Sequence, residues 1–350
     1  MPVAVAGRHR AATARRVPRT RDGTDRRARH RRAVEVRQGT LVTDDSTTIA
    51  QTVRRSLDQK VVEIFNDAGC SGWIHARSLG PSGTEYDFDA DAPVVLASVY
   101  KLAVLISLCR KADRGDIDLS ATVTVDPTLW ADGPTGLAAL HDPITLSRRD
   151  LATSMMTVSD NVAADVLLTE IGLDTVLDDL AELGLTETRI VGGVAELHDR
   201  LRRETGASTV QEAFAALTDP DLDSAVTAYD AAYSSASTPR DCTAMLAAVW
   251  QDRAASPSMC DFIRQTMRKQ IFTGRLASGF PWRNVSVAGK TGTLVAIRNE
   301  IGVVEFPGEH PVSVAVFTTS ARSEMALPEV DRAIGLAARV IVTELRDPRD

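Results

Sequence analysis

The stretch Lys101-Leu102-Ala103-Val104-Leu105-Ile106-Ser107-Leu108-Cys109 is apolar nearly all round, apart from the lysine that opens it. A helix of that kind has no solvent face and must be enclosed on every side. A chain of 350 residues is long enough to enclose it, as one large domain or as two interleaved lobes. Ser98-Val99-Tyr100-Lys101 stands at the N-terminus of this helix. A lysine at the head of a buried helix needs a polar partner. Ser98 lies three residues before it, and residues three apart on a helix share a face.

Two more short polar groups follow in order: Ser159-Asp160-Asn161, then Lys290-Thr291-Gly292-Thr293. Each has an ordinary explanation by itself. The first group can be a surface Ser/Lys pair, the second a helix cap before Val162, the third a strand end at a turn. As an ordered set they supply a nucleophile, bases to activate it and an anion-binding strand. A serine hydroxyl is a weak nucleophile and needs an adjacent base, here Lys101 for Ser98. The helix N-terminus places positive partial charge near Ser98, which lowers the Lys101 pKa and favours an oxyanion beside the Ser98 N–H. Ser159 offers a hydroxyl that relays a proton, and Asn161 an amide that binds a substrate carbonyl. Lys290 and Thr291 present a cation and a hydroxyl, and Gly292 lets a ligand approach the backbone.

Around these groups the pattern is that of an α/β (α+β) protein. Ile49, Val53, Leu57, Val61 and Ile64 share a helical face over 46–65. Gly72 to Arg77 reads as a strand, with Tyr86 and Phe88 on a short partner. Helices are expected at Leu146–Met156, Val162–Ile171, Asp174–Leu183, from Thr238-Pro239 onward and over 258–272, and Val210 to Leu217 is amphipathic. Between Gly184 and Ser237 the pattern is hard to read, and an acidic run spans Asp219 to Asp223. Val285–Thr291, Glu300–Glu305 and Val312–Thr318 form an antiparallel meander, and a last helix starts at Pro328. An antiparallel sheet is therefore built from both chain ends, with helices on its faces and an all-helical lobe inserted. We divide the chain into a disordered Arg-rich tail, 1–45, and a catalytic domain, 46–346. The domain's α/β lobe covers about 46–95 and 275–346, and its helical lobe about 96–274.

Charge is distributed unevenly. Residues 1–37 hold twelve arginines and three acids, and the rest of the chain carries a net charge of -16. So acidic a body excludes nucleic acid as a partner. No run of about 18 apolar residues exists to span a bilayer. The Arg-rich start has no apolar h-region, so no signal peptide is readable and the chain as written is cytoplasmic. If the true start lies downstream, with Val42 as the alternative, secretion or a periplasmic location stays open. The four cysteines lack Cys-x-x-Cys spacing and are expected as buried or half-buried free thiols. The six histidines lack ligand spacing; no metal or cofactor is expected. We expect a monomer acting on a small molecule.

Taken together the three groups resemble those of the penicillin-recognising serine enzymes, most closely the class A β-lactamases. Ser-Thr-Pro-Arg-Asp at 237–241 and the pairing of Lys290–Thr293 with Arg298–Ile301 are similar to the same family's layout. The resemblance covers about 46–346 and implies a β-lactamase/DD-peptidase-like fold. It implies that Ser98 is acylated with Lys101 as general base, that Ser159 carries the proton to the leaving nitrogen, and that Asn161 binds the substrate's side-chain amide. Lys290 and Thr291 would hold a substrate carboxylate, with Arg298 as a second cation. The N–H groups of Ser98 and Thr293 would form the oxyanion hole, and Trp130 an aromatic wall. One departure stands out. The family's glutamate for activating the deacylating water falls at Val194, within Thr188 to His198, leaving Glu196 and His198 as possible deacylation bases. The implied activity is opening of a β-lactam or a related amide or ester, with slow release. Two alternatives remain: an esterase or peptidase on a non-lactam substrate, and a covalent β-lactam-binding protein without turnover.

Overall fold

A computed structural model describes residues 45–219 and 226–349, with side chains from Gln51 on. The Arg-rich tail and most of the acidic run lie outside the described residues. In chain order the elements are α1 (Asp45–Asp67), β1 (Cys70–Ser78), β2 (Glu85–Phe88), β3 (Val94–Val95), α2 (Lys101–Arg114), β4 (Thr122–Val125), β5 (Ile144–Ser147), α3 (Arg148–Thr157), α4 (Asn161–Ile171) and α5 (Leu173–Glu182). There follow α6 (Val194–Thr205), α7 (Val210–Thr218), β6 (Ala236–Ser237), α8 (Pro239–Trp250), α9 (Pro257–Met267), β7 (Ser286–Leu294), β8 (Ile297–Glu305), β9 (Val312–Ser320) and α10 (Pro328–Glu344).

The main sheet has the order β2-β1-β9-β8-β7, antiparallel throughout. Its strands come from both chain ends, as the alternation predicts. The register of β7 on β8 also matches the sequence reading: Lys290 faces Ile301, Thr291 faces Glu300, Gly292 faces Asn299 and Thr293 faces Arg298. β9 shows why its sequence is almost wholly apolar. Val314 and Val316 join one core with α1 and α10, whereas Ala315 and Phe317 join another with the helical part. A strand covered on both faces has no polar side to display.

α2 runs through the second core, and every side chain from Lys101 to Cys109 is buried. It stops at Gly115, whose left-handed conformation (φ 78°) closes the helix. Three cysteines are buried, Cys70 is half-buried, and all four are free. Among the described residues no helix is long and apolar enough to cross a membrane.

The structure corrects several element boundaries. Leu146 and Ser147 lie in β5, paired with β4, and α3 starts only at Arg148, where the Ser147 hydroxyl caps it by accepting from the Asp150 N–H at 3.1 Å. Val53 is 43% exposed; the stripe of α1 that meets the sheet is Leu57, Val61 and Phe65. The poorly read region after Gly184 contains two helices. α6 and α7 enclose a third core with Leu201, Ala213 and Leu217, packed on Val95, Leu294, Val295 and Ile297 at the far end of β7.

Candidate active site

Ser98 lies in a 3₁₀ turn, Ala97–Tyr100, that leads directly into α2. Ala97 has φ 46°, a left-handed value that costs an ordinary residue about 1–3 kcal/mol. Gly292 of β7 holds this turn from the other side. A Cβ there would stand 2.5 Å from the Leu96 carbonyl oxygen and 3.1 Å from Val99 Cγ2. The glycine thus admits the protein's own Ala97–Tyr100 turn, where the sequence suggested an approaching ligand.

Lys101 and Lys290 are both fully buried. Lys101 Nζ donates to the Ser159 carbonyl at 2.7 Å, to Asn161 Oδ1 at 2.9 Å and, at 3.4 Å, to Ser159 Oγ. Lys290 Nζ donates to Ser159 Oγ at 3.0 Å and to the Thr291 carbonyl at 2.8 Å. The Ser159 hydroxyl therefore sits between the Nζ atoms of two lysines. Burial pulls the Lys101 pKa down to about 7, against the pull of Asp160 and Asp165 upward. Lys290 is lowered further from its ordinary value by burial and by the neighbouring Lys101 charge. Desolvation is the largest cause of the Lys101 shift.

Within Ser159-Asp160-Asn161 the ordinary and the chemical roles are divided by residue. Asp160 is the N-cap of α4, accepting from Ala163 N–H at 3.1 Å, Leu137 N–H at 2.7 Å and Ser154 Oγ at 2.7 Å. Ser159 (φ 58°) and Asn161 flank this cap and line the cavity. Asn161 Nδ2 also donates to the Asp132 carbonyl at 2.9 Å, joining α4 to the cavity wall at 132–135.

β7 is the sheet's edge strand. The Thr291 N–H leaves the ladder and donates to Gln270 Oε1 at 2.7 Å. Alternate residues of a strand point their N–H groups to one side, so the Thr293 N–H faces the same open edge. Gln270 is itself fixed by Glu300 at 2.6 Å, a buried carboxyl whose pKa burial raises to about 7. Nothing in the sequence around Gln270 signals this role.

Two expected residues are elsewhere. Arg298 is 2% exposed, and its guanidinium donates to the carbonyls of Val295, Ile297, Glu324 and Met325. Four of its five N–H donors are taken by these carbonyls, its Nε lies 3.8 Å from Asp331, and it is not part of the cavity wall. Arg275, which the sequence reading passed over, lines the cavity instead and donates to Thr293 Oγ1, Gly292 O and Asn299 O, each at 2.8 Å. Asp331 holds its Nε at 2.6 Å. Trp130 packs against the helical core and is absent from the cavity wall, to which its segment contributes Asp132 to Thr135.

The stretch read as carrying the deacylation base is the N-terminus of α6. Val194 is buried in the helical core. Its N–H and that of Ala195 are taken by Asp165 of α4, at 2.7 and 2.9 Å. Glu196 lines the cavity with one carboxylate oxygen accepting from the Gly193 N–H at 2.9 Å. His198 also lines it, 7% exposed, with its ring edge-on to Phe214 and Nδ1 without a partner. Burial lowers its pKa to about 4, so the imidazole is neutral at physiological pH. Tyr100, two residues after Ser98, adds a second buried, unpartnered polar atom, its hydroxyl, to the same wall.

A model of the beta-lactamase enzyme family matches residues 56–345. Among curated proteins, the beta-lactamase regulatory protein BlaB of Streptomyces cacaoi is 27% identical over 312 residues, covering 83% of this chain and 98% of that protein. Among solved structures, a beta-lactamase from Sphaerobacter thermophilus superposes with a TM-score of 0.66 at 23% identity, over 83% of this chain and 97% of that one. A beta-lactamase from Chitinophaga pinensis gives 0.68 at 19% identity, over 83% and 99%.

Proposed function

The chain belongs to the beta-lactamase enzyme family, and on that footing we propose that it is a serine hydrolase working through an acyl-enzyme on Ser98. Its substrate is a β-lactam or a related amide or ester, and the domain that does the work is 46–346. The observation that carries this reading is the convergence of two buried lysines on the Ser159 hydroxyl, beside the helix that presents Ser98. Two buried amines around one hydroxyl, neither of them ion-paired to a carboxylate, suit a proton relay better than a structural ion pair.

The Ser98 oxygen attacks the substrate carbonyl as neutral Lys101 takes its proton. The oxyanion is received by the N–H groups of Ser98 and Thr293. As the tetrahedral intermediate collapses, the proton passes through Ser159 Oγ to the leaving nitrogen or oxygen. Lys290, Thr291 and Arg275 hold a carboxylate of the substrate. Water then attacks the Ser98 ester, a base takes its proton, and the acid departs with Ser98 restored. With Val194 at the glutamate position, that base is Glu196 or His198. We favour His198, whose buried Nδ1 has no other partner.

A second reading keeps the first half only: a covalent β-lactam-binding protein that does not turn over. The apolar, core-packed Val194 favours it, as does similarity to a protein named as regulatory. One experiment separates the two. Purified protein is mixed with a chromogenic cephalosporin, and turnover and intact mass are followed together. Sustained turnover supports the hydrolase. A one-equivalent burst with a lasting adduct on Ser98 supports the second reading. Reaction unchanged in Ser98→Ala sinks both.

A further inference from the structure

The cavity is larger than its chemistry requires. Its volume is about 1250 Å³, above the roughly 300–1,000 Å³ of an ordinary small-molecule site. Ser98, Ser159, Thr291 and Thr293 occupy one wall; α6, α7 and residues 228–235 form the opposite one. The mouth between them is rimmed by Val191, Tyr233, Ile271, Phe272 and Met325. Those are five of the eleven large apolar side chains that are exposed among the described residues. Single exposed apolar residues are ordinary, but a ring of them around one opening marks a binding surface. Four separate chain segments supply the ring: the approach to α6, the stretch before β6, the turn after α9, and the loop before α10. Inside it, Leu197, Val210 and Phe214 carry the apolar lining inward to His198.

This wall has a fixed place along β7. Its core packs on Leu294, Val295 and Ile297, whereas Ser159 bonds to Lys290 at the strand's other part. Four residues of strand separate Lys290 from Leu294, about 13 Å. A leaving group that takes its proton from Ser159 must point to the Lys290 side. The group attached to the scissile carbonyl then points to the α6–α7 side.

We propose that this half of the cavity is a subsite for a bulky apolar acyl arm, so that the substrate is an ester or amide of an alkyl or arylalkyl acid. The proposal rests on Ser98 as the acylated residue. The test is a ladder of p-nitrophenyl esters from acetate to octanoate, in which Ser98 takes the acyl group, nitrophenolate leaves and water releases the acid. We expect kcat/KM to rise about three- to fourfold per methylene, and the double variant Tyr233→Ser/Ile271→Ser to flatten the rise. Both side chains are exposed, so the fold tolerates the change. A second arm needs no turnover: hexanoate, octanoate and decanoate are titrated by calorimetry into the Ser98→Ala protein, where affinity should climb with length. A flat ester ladder together with equal binding of all three acids would overturn the subsite, even with Ser98 labelled by the cephalosporin. Climbing affinity with an unreactive Ser98 would keep the subsite and overturn the acyl-enzyme.

Discussion

The two walls of the cavity are built on different physical terms. The β7–α2–α4 wall belongs to the largest core of the protein, and its lysines, Ser159 and the turn at Ala97 are each held by several contacts. Lys101 has three acceptors, Ser159 and Ala97 are held in left-handed conformations, and Gly292 leaves no space for even a methyl group. The α6–α7 wall has a small core of its own and leaves Nδ1 of His198 unpartnered; opposite it, in the Ser98 turn, the Tyr100 hydroxyl is unpartnered too. Strain and multiple hydrogen bonds hold one side and a small separate core the other, so on the proposed mechanism acylation would depend on the first wall and release on the second.

The most damaging change to the first wall is Lys101→Ala. Loss of a general base should slow acylation by about 10²–10⁴-fold, measured as the rate of mass increase with cephalosporin. The pH profile sharpens the same point. Because burial lowers the Lys101 pKa to about 7, the ammonium dominates below that pH and the free amine above it. Acylation should therefore rise through pH 7 and level off. A rate still rising at pH 10, as for a solvated lysine, would break the claim that desolvation prepares the base.

For the second wall the test is His198→Gln. The adduct should persist about 10²-fold longer, at the low end for a general base because a low-pKa imidazole is a weak one, with acylation unchanged. Since the ring is neutral above about pH 4, wild-type release should not vary with pH between 5 and 8. If Glu196→Gln prolongs the adduct more than His198→Gln, the base is the carboxylate at the α6 cap.

The unequal legibility of the two walls has the same origin. α2 was readable because a helix apolar all round has one place to go, and the β7–β8–β9 meander because alternation and short turns leave one register. The pairing of Lys290–Thr293 with Arg298–Ile301 came from the family resemblance, and the register agrees with it. What could not be read was set by contacts distant in sequence. Arg275 and Arg298 are both single arginines next to the same strand. Only the carbonyls of 324 and 325 occupy one, and only Thr293 and Asp331 aim the other. α6 escaped because its N-terminus has glycine in place of a Ser, Thr or Asp cap. The cap is instead supplied by Asp165, about thirty residues earlier.

That carboxylate joins the two walls, and it gives the mildest test. Asp165 stands on α4, the helix that opens with Asn161, and accepts both N–H groups at the start of α6. Asp165→Ala leaves these donors buried and unpaired, a loss of about 1–3 kcal/mol visible as a lower Tm. Asp165→Asn keeps one acceptor and should recover part of it. If the walls are independent, the alanine variant acylates at the wild-type rate and changes only the adduct lifetime, by a few-fold, as α6 shifts His198. Equal loss in both steps would mean that α6 also braces the strained Ser159, and that the division between a rigid acylating wall and a separable releasing wall is wrong.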